Sequence, residues 1–224
     1  MSQNNILPLR IACDGVSASG KSFSSNAIAK KYKLFCMNSG LLFRYASLLI
    51  LKNKPKKVIP FLKKKLKNLN YKKITRLNLH TQEISNHVVI LSQKRSIRAI
   101  TKAFQKKIIR KHSRILCEGR DAASTILRKN PRYDVAFYFK CNLSTASLRR
   151  WRDLKKKVPL KIVKDSLQSR TRADKSRKNS PLKKMPDAVL IRTDVLSKKA
   201  VIAKMSRKID RKLLLKYGRS IKTR

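Results

Sequence analysis

Residues 9–32 run from a short apolar stretch, Leu9 to Cys13, through a turn bounded by Gly15 and Gly20, into a segment in which Phe23, Ala27, Ile28 and Tyr32 recur at helical spacing. A short apolar run suits a strand buried on both faces of a parallel sheet. Gly15 to Ser22 fits G-x-x-x-x-G-K-[ST], the pattern of a phosphate-binding loop. In such a loop Gly15 and Gly20 permit backbone angles that a side chain forbids, so the N–H groups of Val16, Ser17, Ala18 and Ser19 turn inward around a phosphate. Lys21 brings a mobile point charge to the outer phosphates, and the Ser22 hydroxyl is placed to ligate Mg²⁺. The helix that follows, opening at Lys21 to Phe23, sets its partial positive charge under the same phosphates. Strand before and helix after distinguish this from a chance match in a chain rich in Ser and Lys. The stretch is read as a nucleotide-phosphate site.

With 224 residues the chain suits a single globular domain with a sizeable core. Its 58 Lys+Arg against 11 Asp+Glu give a formal net charge of +47, which suggests an anionic partner such as RNA, DNA or an acidic membrane surface. The basic residues are spread along the whole length, however, and even spreading favours a solvated surface over a dedicated nucleic-acid patch. Where acids are so scarce, those inside motifs stand out: Asp14, Asp121 and Asp174. Cys13, Cys36, Cys117 and Cys141 have no C-x-x-C spacing and read as reduced, mostly buried thiols of a cytoplasmic protein. His80, His87 and His112 form no ligand cluster, so a zinc site is unsupported. No signal-peptide pattern is present, and the apolar run Leu41–Leu51 is broken by Arg44 and too short to span a bilayer, so no membrane role is expected.

Further strands are predicted at Leu34–Met37, Ile115–Cys117, Val135–Phe139 and Ala188–Ile191. Helices are predicted from Leu41, from Gln82 (capped by Thr81), over Ser96–Arg110, from Ser144 and over Ser197–Tyr217. Residues 52–79 are Lys-rich and poorly periodic, with Pro55 and Pro60 as breakers; they read as an insertion, helical around Phe61–Leu69 and extended around Ile74–Leu79. Strands alternating with helices imply a right-handed α/β fold on a parallel sheet. Ligands bind at the carboxyl ends of such strands, where the P-loop, Asn38-Ser39, Arg120-Asp121 and the loop after Phe139 would gather.

Several stretches then matter together: Asn38-Ser39-Gly40-Leu41-Leu42-Phe43-Arg44, Ile97-Arg98 with Gln105, Glu118-Gly119-Arg120-Asp121, Arg170 with Asp174, Arg177 and Pro181-Leu182, and Asp187-Ala188-Val189 with Asp194. Their order and spacing resemble the bacterial cytidylate kinases from about Arg10 to the final helix. The resemblance implies a single P-loop kinase domain on a five-stranded parallel sheet flanked by helices. Its core is about 9–51, 88–148 and 179–217, with a monophosphate-binding insertion at about 52–87 and a lid at about 149–178. It implies transfer of the γ-phosphoryl of ATP to CMP or dCMP, with Mg²⁺, by a monomer. Arg44 and Arg120 match arginines that hold the CMP phosphate, and Arg177 matches one near the moving phosphoryl. Arg98 and Asp121 match residues that meet the cytosine ring, Arg170 and Asp174 contacts to the sugar, and Ser39 and Ser17 positions lining the monophosphate side. The pattern departs from the family at Asn38 (usually Asp), Phe43 (commonly Tyr), Ala146 (Arg), Thr171 (frequently Asp), Ala122-Ala123 and Val89, which falls where a serine helps read the cytosine amine. Weakened discrimination of CMP from UMP is therefore expected. Two alternatives accompany this reading: a basic RNA-binding protein on a degenerate kinase scaffold, non-specific in what it binds, and a P-loop kinase for another small acceptor such as UMP.

Overall fold

The computed structural model describes residues 7–218. Five parallel strands, β1 (Leu9–Gly15), β2 (Phe35–Asn38), β3 (Arg114–Gly119), β4 (Val135–Lys140) and β5 (Val189–Arg192), lie in the order β2-β3-β1-β4-β5. Side chains alternate across a strand, so successive residues of β1 serve different layers. Ile11 and Cys13 pack with Ile28 of α1 (Lys21–Lys31), Tyr32 at its C-cap, and Val201, Met205 and Ile209 of α9 (Lys198–Tyr217). Ala12, Met37 and Cys117 meet the other layer, made by α2 (Ser39–Asn53), α5 (Gln82–Leu91) and α6 (Arg95–Lys111) through Leu42, Val88, Ile97 and Phe104. The sequence-level strands and helices thus recur with boundaries moved by one to three residues.

Side-chain caps fix where several helices begin. Thr81 Oγ1 accepts from Ile84 N at 3.3 Å, Asn142 Oδ1 from Thr145 N at 2.8 Å and Ser197 Oγ from Ala200 N at 3.2 Å. The insertion holds α3 (Val58–Lys67) and the single turn α4 (Tyr71–Ile74). The expected strand at Ile74–Leu79 is not there. Asn70 Oδ1 caps α4 through Lys72 N at 3.0 Å, Ile74 and Leu79 are buried, and Leu77 between them is exposed. The alternating apolar pattern came from a turn followed by an irregular segment, not from pairing with a sheet.

The charged stretch 150–178 divides between α7 (Leu143–Asp153) and α8 (Leu160–Ser176), with Pro159 as the residue before α8. Its small apolar cluster, Cys141, Ala146, Val163 and Leu167, is separate from both main layers and touches the P-loop at Val16 and Ala18. All four cysteines are free; burial pushes the Cys13 and Cys117 thiols well up and Cys36 to about 12, so these three are not poised as nucleophiles. Among the described residues no helix is long and apolar enough to cross a membrane, and no group of His, Cys, Asp and Glu is arranged to hold a metal ion by itself.

Candidate active site

A cleft of about 630 Å³ opens over the carboxyl ends of β1, β2 and β3, bounded by the loop from β1 to α1, the start of α2, the end of α5, and α8. The loop is curled by left-handed angles at Ala18 (φ 54°) and Gly20 (φ 71°). Ser17 to Phe23 line the cleft, whereas Gly15 and Val16 lie behind its wall. Gly15 takes a positive φ of 149°, as the expected backbone role requires, and a Cβ there would also sit 2.2 Å from Phe139 O, so the glycine lets β1 pass close to β4 as well. Val16 acts through its carbonyl, which accepts from Lys21 Nζ at 2.7 Å and from Ser19 Oγ at 2.8 Å. Burial, reinforced by the nearby Arg120 charge, pulls Lys21 down to about 7. An incoming triphosphate would reverse that pull.

Ser22 Oγ donates to Glu118 Oε1 at 2.7 Å, and Asn38 Nδ2 donates to Glu118 Oε2 at 3.3 Å. Sequence reasoning assigns Glu118 no role, although its place at the carboxyl end of β3 in an acid-poor chain is a signal for one. Asp14, by contrast, serves the scaffold. Its two oxygens accept from Ala122 N and Ala123 N, each at 2.8 Å, fastening the π-helical turn Ala122–Ile126 that follows Arg120 and Asp121. Burial raises Asp14 to about 7 despite those two bonds.

Arg44, on α2, donates from Nη1 to Leu79 O at 2.8 Å and to Ser85 Oγ at 3.0 Å, so it ties the insertion to the core as well as facing the cleft. Arg120 donates to Asp174 Oδ2 at 2.8 Å and to Ser17 Oγ at 2.9 Å. Arg177 donates to Asp174 Oδ1 at 3.2 Å and lies 3.8 Å from Asp121 Oδ1, while Asp121 also pairs with Arg98. Arg120 and Asp121, adjacent in sequence, therefore pair with other segments rather than with each other, and Asp174 and Arg177 join the cleft network instead of decorating a helix surface. Arg170 makes no side-chain hydrogen bond among the described residues. Burial, then the charge of Arg120, brings it down to about 9; burial, then Arg150 and Arg120, brings Arg44 to about 10. Ser39 accepts from Gln105 Nε2 at 2.7 Å. Thus Ser17, Ser39, Arg44, Arg98, Arg120, Asp121, Arg170, Asp174 and Arg177, drawn from distant segments, all line one cleft.

Arg149 and Arg150, adjacent on α7, also line it, though no sequence motif singles them out. Arg149 donates to Thr193 O at 2.6 Å, and Thr193 Oγ1 donates to Ser19 O at 3.0 Å, linking α7 and the β5 end to the P-loop. Burial, then the charges of Arg44, Arg150 and Arg170, lowers the pKa of His80. Buried cations that repel one another require an anion. Two groups of cations line the cleft, Lys21 with the P-loop, and Arg44, Arg120 and Arg170 with Arg177 in the same space. The class so defined is a P-loop phosphotransferase acting on a phosphate-bearing acceptor.

Comparison with known proteins narrows the class. The cytidylate kinase family model matches residues 11–211, and the chain belongs to that family. It is 28% identical over 223 residues to the cytidylate kinase of Carboxydothermus hydrogenoformans, covering 91% of this chain and 98% of that one. It is 30% identical over 203 residues to that of Phytoplasma mali, covering 82% and 86%. An uncharacterized protein from Eubacterium ventriosum shares the fold, with a TM-score of 0.53 at 14% identity over 91% of this chain and 99% of that chain. The RNA-binding and alternative-acceptor readings are not favoured by these relationships.

Proposed function

We propose that this chain transfers the γ-phosphoryl of ATP to CMP, and to dCMP, in the cleft between the P-loop and the arginine wall, as a cytoplasmic monomer that uses Mg²⁺. The observation that carries this assignment is the set of mutually repelling cations Arg44, Arg120, Arg150 and Arg170 facing the P-loop, while Asp174 is already bonded to Arg120 and Arg177. A second phosphate would neutralise that wall. Phosphoryl transfer asks the protein mainly for alignment and for stabilisation of charge on the moving group. Lys21, drawn inward to Val16 O and Ser19 Oγ, is assigned to the outer phosphates of ATP, and Arg177 to the group in flight. Arg44 and Arg120 would grip the acceptor phosphate from two directions as planar forks, Ser17 and Ser39 flanking them, while Arg170 and Asp174 meet the sugar. Arg98 and Asp121 would meet the base.

The oxygen donors at Ser22 and Glu118 suit Mg²⁺, which prefers hard ligands and keeps waters and substrate phosphates as the remainder. Ser22, with Glu118 next to it, would hold the ion, whose charge would help offset that of the β- and γ-phosphates. α7 and α8, joined to the rest through the small cluster at Cys141 and Val163, would close over the nucleotides and exclude water.

A coupled ADP-release assay on purified protein across the nucleoside monophosphates tests the proposal. CMP and dCMP are expected to be the preferred acceptors. Turnover with none of the monophosphates, or with purine monophosphates alone, would overturn it.

A further inference from the structure

α3 and α6 pack side by side, and between them runs a second groove, of about 690 Å³. Its floor is Leu66, Ile100 and Phe104, which belong to the larger apolar layer. Ile59 borders it on α3, and on α6 the small, exposed Ala99 and Ala103 leave the helix face uncovered. Lys63, Lys64 and Lys67 of α3 and Lys107 of α6 also line it; their stems extend the apolar surface while their exposed heads stay in water. Lys107 Nζ donates to Lys67 O at 3.2 Å, joining the two walls toward the carboxyl end of each helix. No Asp or Glu occurs between Asp14 and Glu83, or between Glu83 and Glu118, so neither helix carries a carboxylate to pair with these ammonium groups. Arg98 and Gln105, seven residues apart on α6, point the opposite way, toward Asp121 and Ser39 of the cleft. The groove is therefore separate from the nucleotide site.

We infer that this groove binds a single-chain anionic amphiphile, a free fatty acid, with its hydrocarbon on the floor between α3 and α6 and its carboxylate among the lysines. The lining offers two chemistries, hydrocarbon and ammonium, with Ser96 supplying the one hydroxyl. Those are the two halves of such a molecule. Each methylene taken out of water favours binding, and the carboxylate gains from cations that no acid of α3 or α6 neutralises. From Ser96 to Lys107 the groove follows three turns of α6, about 16 Å, room for an extended acyl chain. The Lys107–Lys67 bond bridges the walls at one end, which suits a chain that terminates there better than a partner helix lying along the surface. A slot between two helices likewise suits a free molecule better than the broad face of a bilayer. This site stands apart from the assignment of CMP as acceptor.

Isothermal titration of the full chain with dodecanoate, kept below its micellar concentration and with CMP and ADP in excess to occupy the cleft, tests the inference. One site per chain is expected, with dodecanol and dodecyltrimethylammonium binding more weakly. Ala103→Trp, which sets an indole in the groove from an exposed helix position, should weaken dodecanoate by about tenfold or more. Ala99→Leu, a milder change on the same face, should weaken it in the same direction and serves if the first variant does not fold. Lys63→Gln, Lys64→Gln and Lys67→Gln combined should cost about fivefold. Lys199→Gln, Lys208→Gln and Lys212→Gln combined, on the exposed face of α9, should cost nothing. Dodecanoate displaced by CMP and ADP would place it on the arginine wall instead, and equal losses in the two lysine triples would reduce it to general attraction by a basic surface. Binding to anionic phospholipid vesicles or to an acidic amphipathic peptide, with none to dodecanoate, would assign the groove to a membrane or a protein. Each of these results overturns the inference, as would dodecanoate binding that both Ala variants leave unchanged.

Discussion

Lys21 is a buried ammonium whose pKa lies near 7, so at neutral pH the empty protein carries a strained charge. Its folded-state value is below the ordinary one. The native state therefore binds fewer protons than the unfolded chain between about pH 7 and 10, and this group's contribution to stability rises with pH across that window. Lys21→Met should abolish phosphoryl transfer while raising the Tm of the empty protein at pH 7, and it should remove that part of the pH slope. Differential scanning calorimetry of the two proteins from pH 6 to 9 checks this; an equal or lower Tm for the variant contradicts it. ATP should return Lys21 to its charged form, so nucleotide binding near pH 8 should take up more protons in wild type than in Lys21→Met. Isothermal titration in buffers of differing ionisation enthalpy measures that difference.

At the scale of elements, α8 is held to the core by charge more than by apolar surface. Asp174 of α8 joins Arg120, the residue after β3, to Arg177, the residue after α8, and Arg120 continues to the P-loop through Ser17. Burial pushes Asp174 up, but Arg120, Arg170 and Arg177 outweigh it and hold its carboxyl below the ordinary range. The ion pairs are therefore intact at neutral pH and are lost only as pH falls through that lowered value. Asp174→Asn should raise KM for CMP by about tenfold and increase amide exchange in α8, with the β-strands unchanged. Increased exchange confined to other elements would show that the network does not hold α8. Which elements exist was largely legible from periodicity, and Thr81 announced its helix as a cap, whereas the caps Asn142 and Ser197 emerge only in the structure. The insertion was not legible, because Ile74, Leu77 and Leu79 mimic a strand while only the first and last are buried. That a residue would stand at the cleft was legible where a motif or the family resemblance pointed to it, as at Lys21 and Arg120. Glu118 and Asp14 show the limit, since which carboxylate faces the cleft and which fastens a turn depends on packing between β1, β3 and the turn after it.

Over the whole molecule, a charge of +47 is carried on a chain with 11 acids. Asp14, Glu118, Asp121 and Asp174 are buried, and all four stand at or beside the cleft. The sparse negative charge is concentrated where arginines converge, while the outer helix faces repel one another. Salt should relieve that repulsion, so Tm should rise between 20 and 300 mM NaCl, mostly below about 150 mM where the Debye length shortens to about 8 Å. A Tm independent of salt would mean that the surface charges interact little. The positive field should also speed the capture of nucleoside phosphates at low ionic strength.

All of these expectations depend on one event in the cleft, the passage of a phosphoryl group from the P-loop side to the arginine side. Single-turnover chromatography with γ-labelled ATP and CMP follows it directly. The label should appear in CDP, in step with ADP, in wild type and not in Lys21→Met. Label recovered only as inorganic phosphate, or equal transfer by the variant, would contradict the account.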